Sequence, residues 1–200
     1  MAGAIEVRSG AALDAGRRFT WSEILKDVGH GQREALMLNG TAPRFTDLVG
    51  WEFAGANALT LTRLIGIRKF VKGFYEGPLR GPSGGPTPFI QGYNVDVRQN
   101  GDEEPHIAKP SEEKPKRHGF YRVHAVDPAA RDSRYPNALL LDYGLGGNGL
   151  FGPPLRDYLV QVYPDDPDLL LGKAYVALAG LRIPVSFFVL KRMRKSTFAG

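Results

Sequence analysis

The chain has 200 residues with a formal net charge of +5 and no cysteine. This length makes one ordinary domain that buries about 70% of its unfolded surface, and the lack of cysteine excludes disulfides and thiolate metal sites. No apolar stretch is long enough for a secretory signal or a membrane span, so we expect a cytoplasmic protein without a membrane span.

Residues 1–42 are predicted to form an N-terminal arm and a helical segment. Thr20 and Glu23 have the spacing of a capping box, in which each side chain satisfies a free backbone amide. The apolar residues that follow share one helical face: Trp21, Ile24, Leu25 and Val28. Gly29 and Gly31 interrupt the pattern, which therefore predicts one or two short helices.

Residues 45–194 show the alternation of apolar and polar side chains that is typical of strands. About eight such runs are bounded by Gly, Pro, Asn or Asp: 51–54, 67–75, 89–97, 118–126, 138–143, 155–163, 169–178 and 184–192. No helical pattern separates them, which excludes the alternation that parallel sheets require. We predict a mainly β single domain, an eight-stranded antiparallel up-and-down barrel, with a β-sandwich as the alternative.

Two segments and the C-terminus are predicted to lie outside the sheet. Residues 98–119 carry mixed charge and few large apolar groups, so we expect a mobile charged loop, and residues 77–88 form a second connection rich in Gly and Pro. The excess positive charge is confined to the chain after Asp168 and ends in a basic tail at 195–200. A short basic end is typically solvated, so we predict no nucleic-acid partner.

Three glycines, Gly144, Gly146 and Gly149, fit the spacing of a dinucleotide-binding turn. That turn needs a following helix whose N-terminus faces the pyrophosphate. The residues after Pro154 alternate as a strand instead, so the glycines indicate a hairpin at a barrel mouth, with Asn148 facing the opening. The four histidines have no metal-ligand spacing, and we predict neither a metal nor a cofactor.

The segments LVGWEFAGAN, RKFVKGFYEG and LLLGKAYVALAGLRIPVSFFVLKR resemble the lipocalin-like, or calycin, barrels. They are also similar, more loosely, to small bacterial proteins with a glycine-tryptophan-glycine motif on their first strand. The resemblance implies that Gly50, Trp51 and Gly55 lie near the closed end of the barrel. It also implies that Lys191 or Arg192 lies across the indole ring, a contact that contributes about 0.5–2 kcal/mol.

Members of such families mostly hold small apolar molecules, so the resemblance implies a binding protein for a hydrophobic small molecule. Tyrosine supplies both an apolar wall and one hydrogen bond, which suits such a ligand. The predicted ligand-binding residues lie within strands or at their ends: Tyr93, Tyr121, Tyr143, Asn148, Tyr158 and Tyr175.

Two other functions remain open. The first is an enzyme on the same scaffold, such as an isomerase, cyclase or hydratase, using His124, Asp142 and Arg156 with help from Tyr121, Tyr158 or Lys173. A pair of ionisable groups within hydrogen-bond reach inside the cavity favours this enzyme over a binding protein. The second is an accessory subunit whose N-terminal helix, charged loop and basic tail contact a protein partner.

Overall fold

The computed structural model describes residues 17–58, 68–80, 86–129, 133–145, 148, 154–178 and 181–200. Side chains are described for these residues except 78–80, 86–89 and 178. Helix α1 spans Trp21–Lys26, α2 spans His30–Asn39 and α3 spans Phe45–Leu48. The predicted capping box is present, since the Thr20 hydroxyl accepts from the amide of Glu23 and the Glu23 carboxylate accepts from that of Thr20.

Eight antiparallel strands follow in sequence order and close into a barrel, because β1 pairs with β8 as well as with β2. The strands are β1 Trp51–Asn57, β2 Lys69–Arg80, β3 Pro86–Val95, β4 Arg117–Ala125, β5 Leu139–Asp142, β6 Leu155–Tyr163, β7 Asp166–Leu178 and β8 Leu181–Lys195. The up-and-down barrel is confirmed, and the β-sandwich alternative is wrong.

The chain after Pro154 is extended, as the alternation predicted. Strand β6 begins at Leu155 and pairs with β5 and β7. Of the three spaced glycines, only Gly144 is among the described residues, and its amide donates to the carboxylate of Asp142, two residues earlier. Gly146 and Gly149 lie outside the described residues. A strand at this position supplies no helix N-terminus for a pyrophosphate.

The barrel interior is apolar and tightly packed at one end. Phe53, Phe74 and Leu190 are fully buried there. Helix α3 closes this end, because its Leu48 packs into the same cluster and is also fully buried. The opposite end, where β1 and β3 finish and β2 and β4 begin, is more polar.

Aromatic rings lie against glycines on neighbouring strands. The pairs are Gly55–Phe70, Gly73–Tyr93, Gly92–Tyr121 and Gly172–Phe188. A Cβ atom at any of these glycines would come within 2.0–2.4 Å of the ring it faces. Only glycine leaves room for the ring, so each pair packs an aromatic side chain against bare backbone.

Two parts of the outer barrel surface are also buried. Helices α1 and α2 cover apolar residues that point outward from β6, β7 and β8, such as Val160, Leu171 and Phe187. The C-terminal segment covers another part, where the Phe198 ring lies 4.7 Å from the Tyr93 ring, centroid to centroid. The tail is therefore attached to the barrel at Phe198, a contact that the expectation of a solvated end did not include.

The charged segment 98–119 makes contacts that its composition did not predict. The buried ammonium of Lys69 donates to Asn100 Oδ1 at 2.7 Å and to the carbonyl oxygens of Gly101 and Glu104 at 2.9 and 2.6 Å. His106 Nε2 lies 3.0 Å from the carbonyl oxygen of Gly55. These hydrogen bonds offset the entropy of ordering that we had expected to leave the segment free.

Candidate functional site

A cavity of about 620 Å³ occupies the polar end of the barrel. Its apolar lining comes from five strands and includes Phe70, Val95, Leu155, Ala174 and Phe188. Its polar lining includes Asn57, Lys72, Asn94, His118, Tyr143, Asn148, Asp157 and Ser186. Binding sites for small molecules typically have such a volume, with a largely apolar wall and a few placed polar groups.

A buried ion pair lies in the wall of this cavity. Lys72 Nζ is 2.9 Å from Asp157 Oδ2, and the two side chains are 3% and 4% exposed. Both residues point inward because they occupy the same strand faces as buried apolar neighbours, Phe74 on β2 and Leu159 on β6. The barrel therefore holds two opposite charges at this end, whereas Phe53, Phe74 and Leu190 pack together at the other.

Tyr143 and Asn94 complete the surroundings of the ammonium. Lys72 donates to Tyr143 Oη at 2.5 Å and to Asn94 Oδ1 at 3.1 Å. The Tyr143 hydroxyl in turn donates to Asp157 Oδ2 at 3.0 Å. All three ammonium hydrogens thus have acceptors, and the carboxylate has two donors.

The environment of the pair shifts the protonation equilibria of its members. Burial lowers the pKa of Lys72, and the adjacent Asp157 opposes that effect. Burial and the negative charge of Asp157 raise the pKa of Tyr143 well above its ordinary value. The hydroxyl of Tyr143 therefore stays protonated near neutral pH and can donate a hydrogen bond.

Four aromatic rings surround the ammonium. Lys72 Nζ lies 4.8 Å from the ring centroid of Tyr121 and 5.1 Å from that of Tyr143. The rings of Phe188 and Phe70 lie at 5.2 and 5.5 Å. Such distances allow cation–π attraction, which strengthens when the cation is removed from water.

Two of the predicted ligand-binding residues, Tyr143 and Asn148, line the cavity. The Asn148 side chain also fixes the local fold, because its Oδ1 accepts from the Phe120 amide at 2.7 Å and its Nδ2 donates to the Tyr143 carbonyl at 2.7 Å. Tyr121 points into the barrel, but its hydroxyl donates to the Gly73 carbonyl oxygen at 3.1 Å, and it contacts the site only as a ring beside Lys72.

The other three predicted tyrosines point away from the cavity. Tyr93 lies on the outer surface, where its hydroxyl donates to Glu52 Oε1 at 2.9 Å. Tyr158 and Tyr175 stack on each other, 5.1 Å between centroids, in the cluster beneath the N-terminal helices. None of these three tyrosines lines the barrel cavity. The helices bury Tyr158 and Tyr175 on the outer surface as completely as the barrel buries its inward-facing aromatic residues.

The three predicted catalytic residues do not form a site in the cavity. His124 is exposed on the outer surface of β4. Asp142 and Arg156 form a cross-strand ion pair at 3.0 Å, on the strand faces opposite to those of Leu141 and Asp157. Lys173 also points outward, towards α2, where its Nζ lies 2.5 Å from Glu34 Oε2. None of these four side chains lines the barrel cavity.

Of the suggested first-strand motif, Gly50 and Trp51 lie at the packed end, whereas Gly55 lies nearer the cavity. Gly50 has a φ of +76°, which favours glycine, and Gly55 lies beneath the Phe70 ring. The Arg192 guanidinium lies over the Trp51 ring with 4.5 Å between Cζ and the ring centroid. Of Lys191 and Arg192, the structure therefore places Arg192 on the indole. A further cation, Lys195, has its Nζ 5.2 Å from the centroid of the same ring.

The sequence analysis missed Lys72, Asp157, Asn94 and Ser186. A signal was present, because Lys72 stands between Phe70 and Phe74 in the alternation and Asp157 stands two residues before Leu159. A charged residue in register with inward-facing apolar residues indicates a polar group inside the barrel. Two such residues of opposite sign indicate that the interior holds both charges.

No family model matches the sequence, and no curated protein matches it. A crystal structure of a protein from Thermomonospora curvata is similar, with 16% identity and a TM-score of 0.42. The alignment covers 86% of this chain and 95% of that chain.

Membrane helices and metal sites were both sought in the described part of the chain. No helix there is long and apolar enough to cross a membrane. Nor do its His, Asp and Glu side chains group in threes as a metal site would need.

Proposed function

We propose that the protein binds a small, largely apolar molecule in the barrel cavity and holds one oxygen-bearing group of that ligand near Lys72 and Tyr143. The observation that carries the proposal is the cavity itself, about 620 Å³ in volume with aromatic and aliphatic walls. This volume lies within the range of about 300–1,000 Å³ that is typical of small-molecule sites.

The distribution of polar groups supports one oriented ligand. The ion pair lies in the wall, whereas Asn57 and Ser186 are joined by a 3.2 Å hydrogen bond on neighbouring strands. The ligand's apolar body would contact Phe70 and Phe188, and its polar group would meet fixed donors. The closed end, with Arg192 over Trp51, also supports the lipocalin-like interpretation of the barrel.

Native mass spectrometry of the protein purified from its own host would test this proposal. We expect a co-purifying small molecule that remains bound in the gas phase. The change Ala174→Phe would place a ring in the cavity and should abolish binding, since Ala174 is a buried lining residue. Ala125→Phe adds the same ring at an exposed position on β4 and should leave binding unchanged. Equal binding by both variants would refute the cavity as the site.

A second function, acid-base catalysis on the bound molecule, is favoured by the Lys72–Asp157–Tyr143 cluster. A pair of ionisable groups inside the cavity favours an enzyme over a binding protein. Lys72 and Asp157 are such a pair, with 2.9 Å between Nζ and Oδ2. Tyr143 can donate to a carbonyl oxygen, and Asp157 can accept a proton. Isomerisation of an apolar carbonyl compound is chemistry that such a set supports.

Comparison of the bound molecule before and after incubation would separate the two functions. An enzyme converts the ligand, and Asp157→Asn should abolish conversion while the ligand still binds. A binding protein returns the same molecule unchanged from both forms.

A further inference from the structure

Of the three buried lysines in the described part of the chain, Lys72 and Lys69 line the barrel cavity, and Lys173 does not. Lys173 has the same kinds of partner, since its Nζ contacts Glu34 Oε2 at 2.5 Å and Tyr135 Oη at 2.8 Å. The pocket beside Lys173, however, is only about 60 Å³, a tenth of the barrel cavity. Lys69 is held by oxygens of the 98–119 segment. Only at Lys72 does the geometry combine an amine, a hydroxyl donor, a carboxylate and room for a ligand.

We propose that Lys72 forms an imine with an aldehyde or ketone group of the cavity ligand, an inference that rests on the proposed binding function. The ammonium first gives a proton to Asp157, 2.9 Å away. The lone pair of the neutral Lys72 nitrogen attacks the carbonyl carbon. The carbonyl oxygen takes the proton from Asp157 by way of Tyr143 and becomes a hydroxyl. That hydroxyl takes a second proton from the nitrogen and leaves as water. Overall, an ammonium and a carbonyl compound give an iminium ion and one water molecule.

The surroundings of Lys72 suit the iminium product. The iminium carries one positive charge next to Asp157, so the buried carboxylate has a counter-ion in the product as it had before the reaction. The four rings at 4.8–5.5 Å from Nζ attract a delocalised cation as they attract the ammonium. An iminium has a single N–H in place of three. Asn94 Oδ1 and Tyr143 Oη, which accept from the ammonium, are then free to hydrogen-bond with the ligand.

Burial also favours the nucleophilic form of the amine. It lowers the pKa of Lys72, which raises the fraction of neutral amine near neutral pH. An exposed lysine such as Lys191 has no such advantage. Lys72 is therefore expected to react with carbonyl compounds before the surface lysines do.

Reductive trapping tests the proposal with the intact protein. Naphthaldehyde, an apolar aromatic aldehyde, is added near neutral pH with sodium cyanoborohydride, and modified peptides are mapped by mass spectrometry. We expect a single addition at Lys72, with the mass of the probe less one oxygen atom. Modification at Lys72 should exceed that at Lys191 or Lys173 by at least about tenfold, because the cavity holds the aldehyde beside the Lys72 nitrogen. Lys173 is the matched control with a carboxylate and a tyrosine but no large cavity.

Lys72→Arg keeps a cation beside Asp157 but cannot form an imine, so the addition should disappear. Trapping spread over the surface lysines of the wild-type protein would overturn the proposal and does not depend on whether that variant folds. Naphthalenemethanol, which has no carbonyl group, separates the two levels of inference by calorimetry. If the alcohol binds but the aldehyde leaves Lys72 unmodified, the imine is refuted and the binding function stands. If neither compound binds or reacts, both are refuted for this ligand class.

Discussion

Lys72 and Asp157, 85 residues apart in sequence, meet at 2.9 Å in the wall of the barrel cavity with almost no exposure of either side chain. The closed barrel brings them together by placing β2 and β6 on opposite sides of one interior. Two charges removed from water stabilise each other only as a pair, and losing one leaves the other without compensation.

Removing one member of this pair should cost more than removing both. We expect Lys72→Met to lower the free energy of unfolding by about 3–5 kcal/mol, because it leaves a buried carboxylate without its cation. The double variant Lys72→Met/Asp157→Leu should recover much of that loss. Urea denaturation of the three proteins at neutral pH measures both effects. A loss under about 1 kcal/mol in the single variant would mean that water in the cavity solvates the carboxylate.

The glycines that face aromatic rings should not tolerate a methyl group. In Gly92→Ala, the new Cβ would lie 2.1 Å from the Tyr121 ring, which must move within a packed interior. We expect a loss of about 2–3 kcal/mol in thermal or urea unfolding. Gly31→Ala is the control, since Gly31 lies in α2 with nothing within 4 Å of a new Cβ. That change should stabilise the protein by about 0.5 kcal/mol, and equal effects of the two would contradict this explanation.

Glu34 should make the protein sensitive to acid. Burial alone would raise its pKa, but hydrogen bonds from Lys173, Tyr135 and Arg134 lower it to about 2, against an ordinary value of 4.5. A carboxylate with a lowered pKa in the folded state contributes stability above pH 4.5, and this contribution is lost as the pH falls towards 2. Glu34→Gln should therefore cost about 2–3 kcal/mol at neutral pH.

The difference between wild type and Glu34→Gln should shrink between pH 4.5 and pH 2. Denaturant titrations at several pH values measure it, and the other carboxylates cancel because both proteins contain them. A difference that does not change with pH would show that the hydrogen bonds, and not the charge of Glu34, carry the effect.

The contact between Trp51 and Arg192 should appear as a coupling energy. A double-mutant cycle with Trp51→Leu and Arg192→Ala should give about 0.5–2 kcal/mol, as expected for a guanidinium over an indole ring. The cycle is needed because Arg192 also contacts Asp168, so that the single change removes two interactions. Additive effects would show that Trp51 acts only as an apolar residue at the closed end.

The barrel could be predicted from the sequence because the alternation of side chains and the turn residues agree along the whole second half of the chain. The direction of each strand face could not. On β6, Tyr158 and Val160 point outward and are as well buried as the inward-facing Leu159, because α1 and α2 cover them. The usual contrast between an apolar inner face and a polar outer face is therefore absent on these strands, and the tyrosines were placed by residue type alone.

Part of the candidate site could be predicted by searching the strands for charged residues that share a face with large apolar ones. Lys72 and Asp157 are two such residues, but their pairing depends on strands that lie four positions apart around the eight-stranded barrel. Sequence spacing says nothing about such a distance. The closed topology has to be known before the two can be joined.

The aromatic rings that lie against glycines also determine how wide the barrel cavity is. Phe70 and Phe188 occupy space that side chains at positions 55 and 172 would otherwise fill, so the aromatic lining adds little thickness to the wall. Larger residues at these two positions would push the rings towards the barrel axis and narrow the cavity without changing any residue that lines it. Under the proposed function, positions 55 and 172 would thus limit the size of the ligand from outside the cavity.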